Sequence, residues 1–174
     1  MRLKNLWLSL YNEKIMNYIG SKYLLSDFIV ETVKSVVPEL SQTTFCDLFA
    51  GTGIVGRTFK DKVAKVISND LEYYSYVLIR HYIANSNIDQ SKKLFDTLNQ
   101  LPLKKGLIYK NYCMGGGENR NYFSNENGMK IDAIRTWIET QYKKKDLTSD
   151  DYYFLKCSLL ESADKVANTA SVYA

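Results

Sequence analysis

An α/β fold built on a parallel sheet is what this sequence of 174 residues predicts, and three observations predict it. A short β-branched and aromatic run, Thr43 to Phe49, leads straight into Gly51, Gly53 and Gly56, the order expected of strand, tight turn and helix start. A second apolar run, Val63 to Ser68, ends in Asn69 and Asp70. Around these runs the hydrophobic residues return at helical spacing, so the unit reads β-α-β-α, and strands joined through a helix lie parallel.

The bulk composition agrees with such a domain. Hydrophobic residues make up 45% of the chain and charged residues 24%, values of soluble globular proteins that exclude the disordered and membrane classes. The length suits one domain with a real core. Lys plus Arg number 23 against 19 Asp plus Glu, a net charge of +4 that permits phosphate contact without demanding it. Cys46, Cys113 and Cys157 are widely spaced and His81 is the single histidine, so we expect reduced thiols, no metal site and a cytoplasmic protein. Leu3 to Leu10 is interrupted by Lys4, Asn5 and Ser9 and leads to no small-residue cleavage site; we expect neither signal peptide nor membrane span.

The elements follow in order. Leu24 to Val37 carries an amphipathic helical pattern, with Ser26 or Ser21 as its cap and Pro38 as its stop. After the two strands, the pattern is helical from Leu71 to about Ala84 and again from about Ser91 to Leu98, before Pro102. From Leu101 to Gly128 it breaks: Gly106, Gly115, Gly116, Gly117 and Gly128, with four asparagines between Asn119 and Asn127, predict a long surface excursion. Helices are expected again around Met129 to Tyr142 and from about Ser149 to Ala167, separated by Lys143, Lys144 and Lys145. The domain reading is a βαβα half-domain at 1–100 and a loop-rich, then helical, insert at 101–174.

A Gly-x-Gly-x-x-Gly turn after a strand raises a dinucleotide site first, but the motif alone is weak. Its glycines let backbone approach a ligand, and the next helix offers N-terminal amides to a pyrophosphate or to an amino-acid carboxylate alike. Two acids narrow the choice. Asp47, four residues before Gly51, repels a pyrophosphate and suits a cation. Asp70, closing the second strand, can accept both hydroxyls of a ribose. S-adenosylmethionine, with its ammonium, sulfonium and unphosphorylated ribose, fits the pair better than NAD; a nicotinamide enzyme and a bare structural turn remain the alternatives.

With Asn17-Tyr18-Ile19-Gly20-Ser21-Lys22 upstream and Asp47-Leu48-Phe49-Ala50-Gly51-Thr52-Gly53 and Asp70 downstream, the sequence resembles the Dam-like, or alpha-group, DNA adenine-N6 methyltransferases. The resemblance runs from Asn17 to the C-terminus and takes in Arg120 to Ser124 and Gly128 to Asp132, which look like an insert of that family. It implies a Rossmann-like S-adenosylmethionine-dependent fold, here only the N-terminal half of the sheet with a helical insert serving target recognition. It further implies that Tyr18 and Lys22 line the donor pocket with Gly20, that Phe49 packs beside the donor, and that Gly51 and Gly53 pass under its methionine. Asp47 would meet the amino group and Asp70 the ribose. Double-stranded DNA is the implied partner of the complete enzyme, and restriction-modification the implied setting.

One departure stands out. The family's adenine chemistry uses an Asp-Pro-Pro-Tyr type loop to hold the exocyclic amine and stack the flipped base, whereas this chain has only Pro38 and Pro102. No catalytic residue is therefore expected here, and Asp150-Asp151-Tyr152-Tyr153 is read as helix. The chain alone is expected to be inactive. In an open sheet the first strand is central, so its second edge is expected to stand bare and to pair with a second polypeptide or a second copy. A non-catalytic DNA- or protein-binding relic or subunit is the alternative. His81 is read as a surface or partly buried helix residue, Lys143 to Lys145 as a solvated loop, and the asparagine-rich excursion as a surface able to touch DNA.

Overall fold

A computed structural model describes residues 20–85 and 94–168, and these belong to two compact units divided after Asn85. In the first, a single 3₁₀ turn, Tyr23–Leu25, runs directly into helix α1, Ser26–Val36. Neither predicted serine caps it. Ser26 is already the first helical residue and returns its Oγ to the Lys22 carbonyl at 3.3 Å, because the 3₁₀ turn takes over the entry with Leu25 N–H donating to that same carbonyl. The helix ends just before Pro38, as expected from proline's lost donor.

Strands β1, Thr44–Asp47, and β2, Lys65–Ser68, pair in parallel with Thr44 opposite Lys65 and Asp47 opposite Ser68. Both are shorter than their apolar runs, since Leu48 and Phe49 turn out of the sheet into the loop that follows. Helix α2, Ile54–Phe59, covers one face: its Phe59, fully buried, stacks on Phe45 with ring centroids 4.1 Å apart. On the other face Thr44, Cys46, Lys65 and Ile67 are exposed. Helix α3, Tyr73–Ile79, buries Val77, Leu78 and Ile79 and continues as a π turn over Arg80–Ala84 where one uninterrupted helix was expected.

The second unit is helical: α4, Leu94–Gln100; α5, Leu107–Tyr112; α6, Asn125–Lys143; and α7, Ser149–Val166. Leu98, Ile134, Ile138 and Leu155 are sealed in its core with Cys113, so α4 packs with the C-terminal helices. Ser124 caps α6 by accepting from Asn127 N–H, and Thr148 and Asp151 form a reciprocal capping box on α7.

The expected excursion does lie largely at the surface, but it carries a helix and is tightly braced. Residues 101–128 hold α5 and bury Cys113 and Phe123, joined by a bridge between those two residues. Two buried charges on α6 explain it. Asp132 accepts from the backbone N–H groups of Gly106, Ile108 and Tyr109 at 3.0, 3.0 and 2.8 Å, satisfying the first turn of α5. Lys130 donates to the carbonyls of Asn99 and Leu101 at 2.8 and 2.9 Å, closing the end of α4. Glycine and asparagine here mark a tightly braced turn, not a free loop. At Gly128, for instance, a methyl group would run into Cys113 Sγ. Among the described residues no helix is long and apolar enough to cross a membrane.

Candidate functional site

The loop from β1 to α2 begins where Asp47 leaves the sheet. Leu48 and Phe49 then project outward, Phe49 at 91% exposure, and the chain turns under itself through Gly51 and Gly53 with φ of 54° and 77°. Those left-handed angles require glycine for an unstrained turn. Gly53 is also the residue that opens α2, so the helix begins with backbone rather than a side chain at its entry. Ala50, Thr52, Gly53 and Ile54 are buried, so the inner side of the loop is packed, while Leu48 and Phe49 on its outer side are exposed.

Two side chains at the end of β2 clip this loop. Asp70 accepts from Gly51 N–H at 2.7 Å through one oxygen and from Glu72 N–H at 3.0 Å through the other. The Glu72 and Gly51 N–H groups hold its carboxyl below the usual range, with smaller pulls from the Ser75 hydroxyl and the Leu71 N–H, so it is an anion. Asn69 donates from Nδ2 to the Leu48 carbonyl at 3.0 Å, and its own carbonyl accepts from Ala50 N–H at 2.9 Å. The sequence marks Asn69 only as a strand end; its bracing role depends on a contact 21 residues away.

Asp47 lies beneath the loop. Burial raises its pKa against the lowering pull of the Phe49 and Gly56 backbone N–H groups, and the Asp70 charge pushes in the same direction as burial. Its Oδ2 is buried with no hydrogen-bond partner, as is Ser68 Oγ on the strand position opposite. A buried carboxylate oxygen without a partner costs free energy. Gly56 completes this corner, because a Cβ there would meet Ser68 Oγ at 2.6 Å and Ile83 Cδ1 at 2.7 Å; sequence spacing identified the glycine but not the serine.

The remaining expected site residues are Tyr18, Gly20 and Lys22. Lys22 folds back on Gly20, donating from Nζ to its carbonyl at 2.7 Å, and Gly20 holds φ 84° in the open. Among the described residues no hydrogen bond joins Lys22 to the glycine turn. Tyr18 lies outside the described residues. Thus Asp47, Phe49, Gly51, Gly53 and Asp70 stand in one loop system, and Gly20 and Lys22 in one turn. His81, on the π turn, is pushed down to about 4 by burial and by the Arg57 and Lys60 charges.

An anionic, backbone-lined turn of this sort can hold a ligand that carries both a cationic group and a vicinal diol. Comparison with known proteins narrows the field: residues 18–174 match the family described as D12 class N6 adenine-specific DNA methyltransferase. The chain belongs to that family. It is 56% identical over 160 residues to the type II methyltransferase M.NlaIII of Neisseria lactamica, covering 91% of this chain and 48% of that protein. The type II methyltransferase M.CviAII of Paramecium bursaria Chlorella virus 1 is 40% identical over 162 residues, at the same 91% and 48% coverage. The modification methylase LlaI of Lactococcus lactis subsp. lactis is 36% identical over 169 residues, or 26% of its own length. The chain therefore spans about half the length, or less, of these relatives in the D12 class. No solved structure matches it.

Proposed function

We propose that this chain is the S-adenosylmethionine-binding part of a DNA adenine-N6 methyltransferase of restriction-modification type. The observation that carries the reading is the pairing of a buried, partnerless Asp47 Oδ2 with a left-handed glycine turn clipped by Asp70. An ammonium beside Asp47 would supply the donor that this oxygen lacks. Ribose hydroxyls would donate to the Asp70 carboxylate. Gly51 and Gly53 would admit the methionine backbone without steric conflict, Phe49 would pack beside the donor, and Tyr18, Gly20 and Lys22 would close the pocket. When bound, the donor supplies an electrophilic methyl group; the residues of this chain orient it and balance its charge.

On this reading the two strands are the N-terminal half of a Rossmann-like sheet, and residues 101–174 form the insert that meets double-stranded DNA, in the cytoplasm. Adjacent prolines are absent from the sequence, so a loop of Asp-Pro-Pro-Tyr type must come from a further segment or a partner polypeptide pairing with β1. The chain alone is inactive in this account, since holding adenine in line with the donor contributes about 7–11 kcal/mol in well-oriented reactions. Isothermal calorimetry tests the proposal: S-adenosylmethionine should bind and NADH should not, and Asp70→Ala should weaken donor binding by about 1–3 kcal/mol. Binding of NADH alone would reject it, and methyl transfer to DNA by the purified chain would reject the inactive half of the account.

A further inference from the structure

Two clusters of lysines lie in the helical unit, and their surroundings differ. Between residues 101 and 124 the sequence has four cations, Lys104, Lys105, Lys110 and Arg120, against one carboxylate, Glu118. All four cations are exposed. Asp132, the acid beneath them, is buried and committed to three backbone N–H groups. Between 139 and 151 the balance reverses: Lys143, Lys144 and Lys145 sit in sequence with Glu139, Asp146, Asp150 and Asp151. Glu139 is bonded to Lys156 and Tyr152, which lower its pKa against burial, and Lys143 adds a smaller pull. By count of side chains, the first cluster alone carries an excess of cations over carboxylates.

That first cluster is also held in place. Lys105 Nζ stands over the Tyr109 ring at 5.2 Å and Arg120 over the Tyr112 ring at 5.9 Å, so two aromatic residues of α5 tie the cations to one helix. Lys104 reaches Thr136 Oγ1 on α6 at 3.4 Å. The turn between them is fixed by Tyr109 OH donating to the Gly115 carbonyl at 2.8 Å and by Asn125 Oδ1 accepting from Gly115 N–H at 3.0 Å. Gly116 packs against the carbonyls of Tyr109 and Lys110 with no room for a side chain. At the tip, Asn119 is exposed in the left-handed conformation with φ 53°. Exposed cations, three of them anchored to neighbouring side chains, suit a polyanion whose charges repeat along a rigid backbone: lysines and arginine on phosphates, with an exposed amide available for base edges.

We propose that the surface formed by Lys104, Lys105, Lys110 and Arg120 seats the phosphate backbone of duplex DNA, and that Lys143 to Lys145 do not. This rests on the reading of the chain as part of a DNA methyltransferase, and it adds which surface meets the nucleic acid. The test uses the full chain and a short fluorescein-labelled duplex, with anisotropy followed across about 50–200 mM salt. Wild type should bind with a steep salt slope. Changing Lys104, Lys105 and Lys110 together to glutamine should reduce that slope by about 2–3 and weaken binding by about tenfold or more at the lower salt. The corresponding change at Lys143, Lys144 and Lys145 should leave slope and affinity within error of wild type, with circular dichroism checking that both variants fold. Equal losses in both variants, a loss only in the second, or no duplex binding by wild type would each overturn the proposal. Calorimetry with S-adenosylmethionine on the same samples separates the two readings: donor binding without duplex binding defeats this inference alone, and a cluster-dependent salt slope without donor binding defeats the cofactor reading alone.

Discussion

Acid should weaken the fold through His81 in a window set by its two pKa values. The imidazole has an ordinary value of 6.5 and is held at about 4 in the folded chain, by burial first and then by the charges of Arg57 and Lys60. A depressed folded value means that the stability contribution is complete above 6.5 and is lost as pH falls towards 4, because the unfolded chain takes up a proton that the folded chain refuses. From these two values the loss by pH 5 is about 2 kcal/mol, and the full shift corresponds to about 3.4 kcal/mol at 1.36 kcal/mol per unit. Since the ring is only partly buried, solvent screening brings the expected loss at pH 5 nearer 1 kcal/mol. Urea denaturation of wild type and His81→Gln at pH 7 and pH 5 measures it, and the difference between the two proteins cancels every other titrating group. The variant should lose less stability on acidification. As the chain contains one histidine, its single imidazole C2 proton also reports the folded value directly by NMR. Parallel pH profiles for the two proteins, or an NMR titration midpoint near 6.5, would refute the reasoning.

Three further outcomes are expected. Asp132→Asn leaves one acceptor oxygen and an amide facing the three N–H groups at the start of α5, so urea unfolding should show a loss of about 2–4 kcal/mol. Gly56→Ala places a methyl within 2.6 Å of Ser68 Oγ and 2.7 Å of Ile83 Cδ1; overpacking should cost about 1–3 kcal/mol in thermal unfolding. Asp47→Asn should separate stability from binding. Burial raises the wild-type pKa, so its contribution is favourable in acid and lost as pH rises through the folded value. The variant should therefore lose less stability than wild type as pH rises from acid to 7, while donor affinity measured by calorimetry falls.

What the sequence made legible were features set by neighbours. The strand, glycine turn and helix at 44–59, the second strand leading to Asp70 and the helices at the C-terminal end all follow from local periodicity and turn chemistry. The helix and bracing within the excursion from 101 to 128 are not legible because their organisers are distant: Asp132 and Lys130 look like ordinary polar positions on α6 until their partners, 23 to 31 residues away, are known. At the glycine turn the residue types were readable but their division of labour was not. Asp70 already braces Gly51 before any ligand is considered, and Asp47 owes its interest to a missing partner, which no pattern of letters records. The π turn at Arg80–Ala84 likewise leaves no trace in a hydrophobic period that continues through it.

The three thiols turn the molecule into its own stopwatch. Cys46 is exposed on the uncovered face of β1, while Cys113 and Cys157 are sealed among helices α5, α6 and α7. A thiol reagent added to the native protein meets Cys46 at once, but reaches the other two only when the helical unit opens. The thiol of Cys113 is further slowed because burial raises its pKa. The slow labelling phases thus count openings of the helical unit. Since Gly128 packs directly on Cys113 Sγ, reagent bound to that sulfur would fill the space on which the packing of α6 against α5 depends. Each labelling event at Cys113 would therefore be a ratchet, recording one opening and hindering the return.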